Sequence, residues 1–234
     1  MEQEVDLAML TLEDIRQDPV FLTLIDNSSA YLKARGYTEH GLRHVTYVSN
    51  TTAQILAQLG FDERTVELGA IAGYLHDIGN LVNRKHHSIT GANIVYGELR
   101  RLGMDVQEIC EIATAIGNHE EEIGKAVSPI TSALILADKS DAHRTRSNRV
   151  LTDPRPGIHD RVNLAITDSK LYVESAKHLI TLEISFDQEV CQIMDFFEIY
   201  LTRMEMCKEA SIVLGCRFRL LINELEFLGT LPGS

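Results

Sequence analysis

The sequence predicts an α+β protein: an all-α helical bundle followed by a small C-terminal β-sheet with one long helix. Two observations carry this. From Leu42 to Ala137, apolar residues recur at three- and four-residue spacing in segment after segment, as helices with one buried face require. From Val162 the period drops to two, interrupted by one long stretch, Val190 to Met204, that returns to helical spacing. Between the two regimes lies Asp153-Pro154-Arg155-Pro156-Gly157, which breaks any helix and reads as a linker or an ordered loop. A helical unit over residues 1–155 and a smaller α/β unit over residues 160–234 are therefore expected.

Each helix has its own evidence. Leu7, Leu10, Leu12 and Ile15, then Val20, Leu22, Leu24, Ile25, Tyr31 and Leu32 after Pro19, predict one or two short packing helices closed by Gly36. Leu42, Val45, Val48, Thr52, Ile55, Leu56 and Leu59 form the stripe of the next, which Gly60 ends. Asp62 is placed to cap its successor, with Phe61 and Val66 spaced as a hydrophobic staple and Val66, Leu68, Ile71, Ala72 and Leu75 facing inward. Ala92, Val95, Leu99 and Leu102 mark a further helix, stopped by Gly103. Asp105 opens another, with Val106, Ile109, Ile112, Ala113 and Ile116 on one face. Ser128-Pro129 joins an N-cap to a proline at the first helical position, ahead of Ile130, Ala133, Leu134 and Ala137.

The C-terminal part reads differently. Leu164 with Ile166, and Leu171 with Val173, suggest strands about a turn at Thr167-Asp168-Ser169-Lys170. Ile180, Leu182, Ile184 and Phe186 alternate with Thr181, Glu183 and Ser185 as the clearest strand. Val190, Ile193, Met194, Phe197, Leu201 and Met204 predict the buried stripe of the long helix, with Gly215 at its end. Cys216, Phe218, Leu220 and Ile222 give a last strand. As an exposed edge it needs covering, either by a homodimer through this unit or by packing of the unit on its own helical part. No nucleophile, metal set or glycine-rich phosphate loop is visible in it.

Composition narrows the partners. The 234 residues carry a formal net charge of -12, which speaks against stable nucleic-acid binding, since phosphate neutralisation needs a basic surface. It does not exclude small phosphorylated ligands where a metal supplies local positive charge. Cys110, Cys191, Cys207 and Cys216 form no CxxC pair and read as reduced thiols. No apolar run is long enough for a bilayer, the acidic N-terminus is unlike a signal peptide, and the cytoplasm is the expected location.

The chemistry centres on Gly73-Tyr74-Leu75-His76-Asp77-Ile78-Gly79-Asn80. His76 falls four residues after Ala72 and so points inward, which leaves the Asp77 carboxylate beside apolar surface, where it is costly without a partner. A cation would remove that cost; a local cap or ion pair would also do so. His44 lies one turn before Val48 on the edge of an apolar face, the place of a core histidine or of a ligand. Asp138 follows Leu134 by one turn in the same stripe, and Asp141 shares roughly that face. His86 and His87 stand together just before a helix, and His119 sits in the acidic turn Asn118-His119-Glu120-Glu121-Glu122. Imidazoles and carboxylates suit iron, manganese, zinc or nickel and match poorly to an all-oxygen calcium cage.

Over roughly residues 38 to 150 this set resembles the HD superfamily of metal-dependent phosphohydrolases, named for the His-Asp dipeptide. The resemblance implies one or two divalent ions. His44, His76, Asp77 and Asp138 would hold the first; His87 and His119 would hold a second, with Asp77 bridging. It favours His87 over His86, because Gly91-Ala92 and an amphipathic helix follow at the family's spacing. It further implies hydrolysis of a phosphate mono- or diester, a nucleotide foremost, by metal-activated water. A basic group among Lys85, Lys139 and Arg144 would offset transition-state charge. Lys139, His143, Arg144, Arg146 and Arg149 make a basic stretch in an acidic chain, either a solvated face or a phosphate contact. The chain departs from the family at Asn80, where a lysine is common, and lacks the Gly-Tyr-Pro motif of cyclic-dinucleotide phosphodiesterases and the acidic pair of alarmone hydrolases. Two other classes share the pattern: HD-fold di-iron oxygenases, and metal-stabilised signalling or scaffold domains.

Overall fold

A computed structural model describes residues 9–37, 40–146 and 157–228. Its helical part opens with α1 (Leu12–Gln17) and α2 (Pro19–Ala34), capped by the side chains of Thr11 and Asp18. α3 (Leu42–Gln58) and α4 (Glu63–Leu75) form an antiparallel pair, the second capped by Asp62. After a 3-10 turn, Ile78–Leu81, come α5 (His87–Arg101), α6 (Val106–Gly117) and α7 (Pro129–Ser140), the last two capped by Asp105 and Ser128 as their sequences predict. α7 is buried on all sides from Ile130 to Ala137, apolar apart from Thr131 and Ser132 in its first turn, as a helix surrounded by others must be. It packs against α3, α4 and α6 on one flank. No described helix is long and apolar enough to cross a membrane.

The remaining chain forms α8 (Ile158–Ala165), β1 (Ile166–Glu174), β2 (Leu179–Phe186), α9 (Ile193–Val213), β3 (Arg217–Ile222) and β4 (Leu225–Leu228). The sheet order is β1-β2-β3-β4, antiparallel except for the parallel β2–β3 pair that α9 connects. α9 lies along α7, and buried apolar residues from Ile15 to Ile222 make one continuous cluster. The α+β class is as expected: helices first, then a mixed sheet with one long helix.

Three expectations for this part need correction. Leu164 lies on α8 rather than a strand, and Thr167 to Lys170 continue β1, where Ser169 pairs with Ile184 and Lys170 with Glu183. The polar run resembled a turn because β1 is an edge strand whose residues need no strict alternation. On α9, Met194 is 69% exposed and Leu201 47% exposed, while Phe196, Tyr200, Met204, Cys207 and Ala210 are buried. Apolar residues occur on more than one face of this helix, so spacing alone selected a stripe rotated from the true one. Finally, β3 is not an edge. β4 pairs with it after a tight turn in which Asn223 and Glu224 both have positive φ, the primed-turn geometry of a hairpin. Leu7, Arg149 and residues 153–156 of the expected breaker lie outside the described residues.

α3 and α4 touch at Gly73. A Cβ there would stand 2.8 Å from the Cα and 2.9 Å from the N of Ser49, so the backbones meet with no room for a side chain. This contact sets the distance between His44 on α3 and His76 at the end of α4. Gly73→Ala is expected to cost about 1–3 kcal/mol by overpacking and to weaken metal uptake. Urea denaturation with unchanged midpoint and slope would show that the helices are not so close.

Candidate metal centre

Four imidazoles enter one buried space from four elements. His44 comes from the first turn of α3, and His76 from the end of α4. His87 is the first residue of α5, and His119 follows α6. Each of these Nδ1 atoms already has a partner: Asp141 Oδ2 at 2.7 Å from His44, the Gly73 carbonyl at 2.9 Å from His76, the Arg84 carbonyl at 3.0 Å from His87 and the Ile116 carbonyl at 2.6 Å from His119. An Nδ1–H given to an acceptor leaves Nε2 with a lone pair. These Nε2 atoms turn toward one another, 3.3 Å apart for His44 and His76 and 3.1 Å apart for His87 and His119. Two facing lone pairs need a proton or a cation between them. The donor set therefore fits a metal.

The two carboxylates divide the space. Asp77 Oδ2 faces His44 and His76 at 3.6 and 3.5 Å, and its Oδ1 faces His87 at 3.4 Å. Asp138 Oδ1 lies 3.3 Å from His44 and 3.6 Å from His76, while its other oxygen accepts from Lys139 at 2.6 Å. The first group of four sequence candidates and the His87–His119 pair are thus brought together around Asp77. Among the described residues, three overlapping sets could hold an ion: His44, His76 and Asp138; His76, Asp77 and His119; and His40, His44 and Asp77.

The turn after Asp77 explains how α5 reaches this space. A Cβ on Gly79 would fall within 3 Å of both the N and the Cα of Gly91, so the turn lies directly on the first turns of α5. His86, at φ +60, ends the loop facing solvent, and the next residue, His87, is buried.

A family model for the HD domain matches residues 41–145, the segment from the start of α3 to just beyond α7. Residues 41–145 form an HD domain. The chain is also similar to the crystal structure of a predicted HD superfamily hydrolase from an uncultured Thermotogales bacterium, at 23% identity over 53% of this chain and 67% of that one, with a TM-score of 0.42. No curated protein matches it.

Electrostatics within the HD domain follow from these contacts. Burial opposes ionisation of Asp77, but His76 and His40 beside it hold its carboxyl well below the usual range. Asp138 is likewise held down, by Lys139 and the two imidazoles, against its burial. His87 and His119 face each other at 3.1 Å, so a charge on one opposes a charge on the other. Burial disfavours the charge on both, yet Asp77 and Glu120 lift His87 to about 9, while burial and the positive charge next door press His119 to about 3. Glu120, anchored on His87 and Ser88, is drawn down to about 2 despite its burial.

Asp141 is the residue behind His44, and Arg43 grips its two oxygens at 2.9 and 3.2 Å. Such partners fix ring tautomer and orientation, and losing one costs about 10–100-fold in metal affinity. Asp141→Asn is expected to weaken metal binding by that order with the fold intact. Competition against a calibrated chelator reads it, and an unchanged affinity would reject the orienting role.

The cationic candidates separate. Lys139 is buried, joined to Asp138 and, at 3.1 Å, to Glu121; these charges raise its pKa against burial. Lys85 stands exposed on the rim of a cleft of about 800 Å3. Arg144 is not brought to the HD site: its Nη2 lies 3.7 Å from Asp187, beyond β2.

His40, Arg84 and Arg203 were not singled out from sequence, and Asn80 was noted only as a departure from the family's lysine. His40, four residues before His44, puts Nδ1 2.7 Å from Asp77 Oδ2. Asn80 donates to Asp77 Oδ1 at 2.8 Å, so the residue that departs from the family's lysine holds the central carboxylate. Arg84 comes within 4.0 Å of the same oxygen. Arg203, from α9, binds Glu121 at 2.9 Å. The four-residue step from His40 to His44 was a legible signal; nothing local marks Arg203.

Proposed function

We propose that this protein is a metal-dependent hydrolase of phosphate esters, acting on a small nucleotide-type substrate. The observation that carries the reading is the pair of Nε2–Nε2 approaches, 3.3 and 3.1 Å, with the two oxygens of Asp77 shared between them. His44, His76, Asp77 and Asp138 would hold one ion, and His87 and His119, with Asp77, a second. When bound, divalent ions polarise phosphoryl oxygens and lower the pKa of water.

The chain's own groups would supply the rest. Asn80 fixes Asp77 Oδ1 toward His87. Lys139 occupies the outer oxygen of Asp138 and leaves Oδ1 turned inward. Arg84 stands at the opening beside Asp77, where its charge offsets that of a phosphoryl group. Lys85 lies further out on the rim as a weaker, solvated contact, and Arg144 contributes no direct contact in this reading. No serine or cysteine nucleophile is needed. The three buried thiols Cys191, Cys207 and Cys216 all have raised pKa values, chiefly from burial, which keeps them protonated.

The test is metal analysis of protein purified without added metal, paired with a screen of phosphomonoesters, phosphodiesters and nucleotides. Bound iron, manganese, zinc or nickel with turnover of one class is expected. Iron with oxygen consumption and no ester hydrolysis would overturn the reading in favour of an oxygenase. Metal with stability gain but no turnover of any kind would leave a scaffold.

A further inference from the structure

The sheet-bearing part of the chain reaches into the metal centre through one helix. Arg203 of α9 lines a small recess of about 70 Å3 together with His40, Arg84, Asp138 and Lys139. Its Nε is held by Glu121 at 2.9 Å, and its guanidinium lies 4.7 Å over the ring of Tyr200. Tyr200 is fixed in turn, because its hydroxyl donates to Asn163 of α8 at 3.0 Å. The side chain is thus positioned from two directions yet keeps 32% of its surface exposed. Neither Nη atom has a hydrogen-bond partner among the described residues. A guanidinium with Nε tied back and both Nη atoms open is arranged to receive an oxyanion by two parallel bonds.

The recess opens into the larger cleft, since His40, Arg84, Glu121 and Arg203 line both. Its volume, about 800 Å3, is that of a site for a ligand well beyond phosphate in size. Its charges balance. Arg35, Arg84, Lys85 and Arg203 are offset by Glu120, Glu121, Glu122 and Asp160. A polyphosphate chain would need a surplus of cationic side chains, which neither the cleft nor the recess provides, since in the recess Arg84, Lys139 and Arg203 are offset by Glu121, Asp138 and Asp141.

We infer that Arg203 is the substrate's phosphate anchor, and that the substrate is a phosphomonoester of an uncharged, polar, nucleoside-sized alcohol. This rests on the hydrolase reading for its chemistry, but the anchor itself can be tested by binding alone. The phosphoryl group occupies the recess between Arg203 and Arg84, above Asp138, and the alcohol part fills the cleft. The C-terminal unit is then part of the site rather than an accessory.

The probe is inorganic phosphate, titrated calorimetrically into the metal-loaded full chain. Wild type binds it. Arg203→Lys, which keeps the charge and the Glu121 contact but loses the fork, is expected to weaken binding about tenfold or more, with metal content and melting temperature retained. In the unmutated chain, phosphate should protect Arg203 from dicarbonyl modification, read by peptide mass spectrometry, so the result does not depend on a variant folding. A nucleoside monophosphate should compete with phosphate more strongly than the triphosphate does. Failure of wild type to bind phosphate, equal affinity in Arg203→Lys, unprotected Arg203, or loss of metal in the variant overturns the anchor. Tighter binding of the triphosphate overturns the neutral alcohol. If phosphate binds as described but no ester is turned over, the hydrolase reading falls while the anchor stands.

Discussion

Asp77→Ala is expected to leave the protein folded, free of bound metal and inactive, with turnover down at least about a thousandfold, or roughly 4 kcal/mol. The size of the effect follows from position. Among the described residues, Asp77 is the one carboxylate whose two oxygens face both histidine pairs, with Oδ2 toward His44 and His76 and Oδ1 toward His87. Without it, among the described residues, Asp138 is the carboxylate left facing His44 and His76, and His87 and His119 lose the one beside their Nε2 atoms. The fold survives because α4 ends at Leu75 and the packing of Leu68, Ile71 and Leu75 is untouched. Elemental analysis and circular dichroism on the same sample decide it. Full metal occupancy with normal turnover would remove Asp77 from the centre.

The second large effect separates the two halves of the site. His119→Ala should lower occupancy to about one metal per chain, because His44, His76 and Asp138 meet one another without it. His87 alone, opposite Asp77 Oδ1, is a poor ligand set for a second ion. Loss of turnover greater than loss of metal would follow, since a phosphoryl group held by one ion lacks its clamp. Simultaneous loss of both ions, or a wild-type chain that takes up only one, would defeat the two-site arrangement.

The helical part was largely legible because its signals are local. Caps at Asp62, Asp105 and Ser128 and the stripe from Val45 to Leu56 each depend on a few neighbouring residues. His44, His76, Asp77 and Asp138 stood in or beside apolar stripes, where polar groups need partners, but it was the resemblance to the HD superfamily that joined them into a set and added His87 and His119. The rest depends on which surface faces which. α9 carries apolar residues on more than one face, and only its docking on α7, α8 and β3 selects Phe196, Tyr200, Met204 and Cys207 for burial. Arg203 could not be recognised before that choice, because on the expected stripe it had no particular address. Arg144, one of a visible basic run, had the opposite fate: proximity to Asp138 in sequence did not bring it to the site.

The parallel pairing of β2 with β3 has a consequence for the order of assembly. β1 and β2 form a hairpin between near neighbours, and β3 and β4 another. Joining the hairpins means matching Leu179 with Arg217 across the whole length of α9, a closure whose entropic cost must be met before its contacts are gained. Both ends of α9 are tied by that closure, and with them the middle of the helix, where Arg203 stands. A chain caught before this step would already own every histidine of the centre, yet the recess would still be missing one wall.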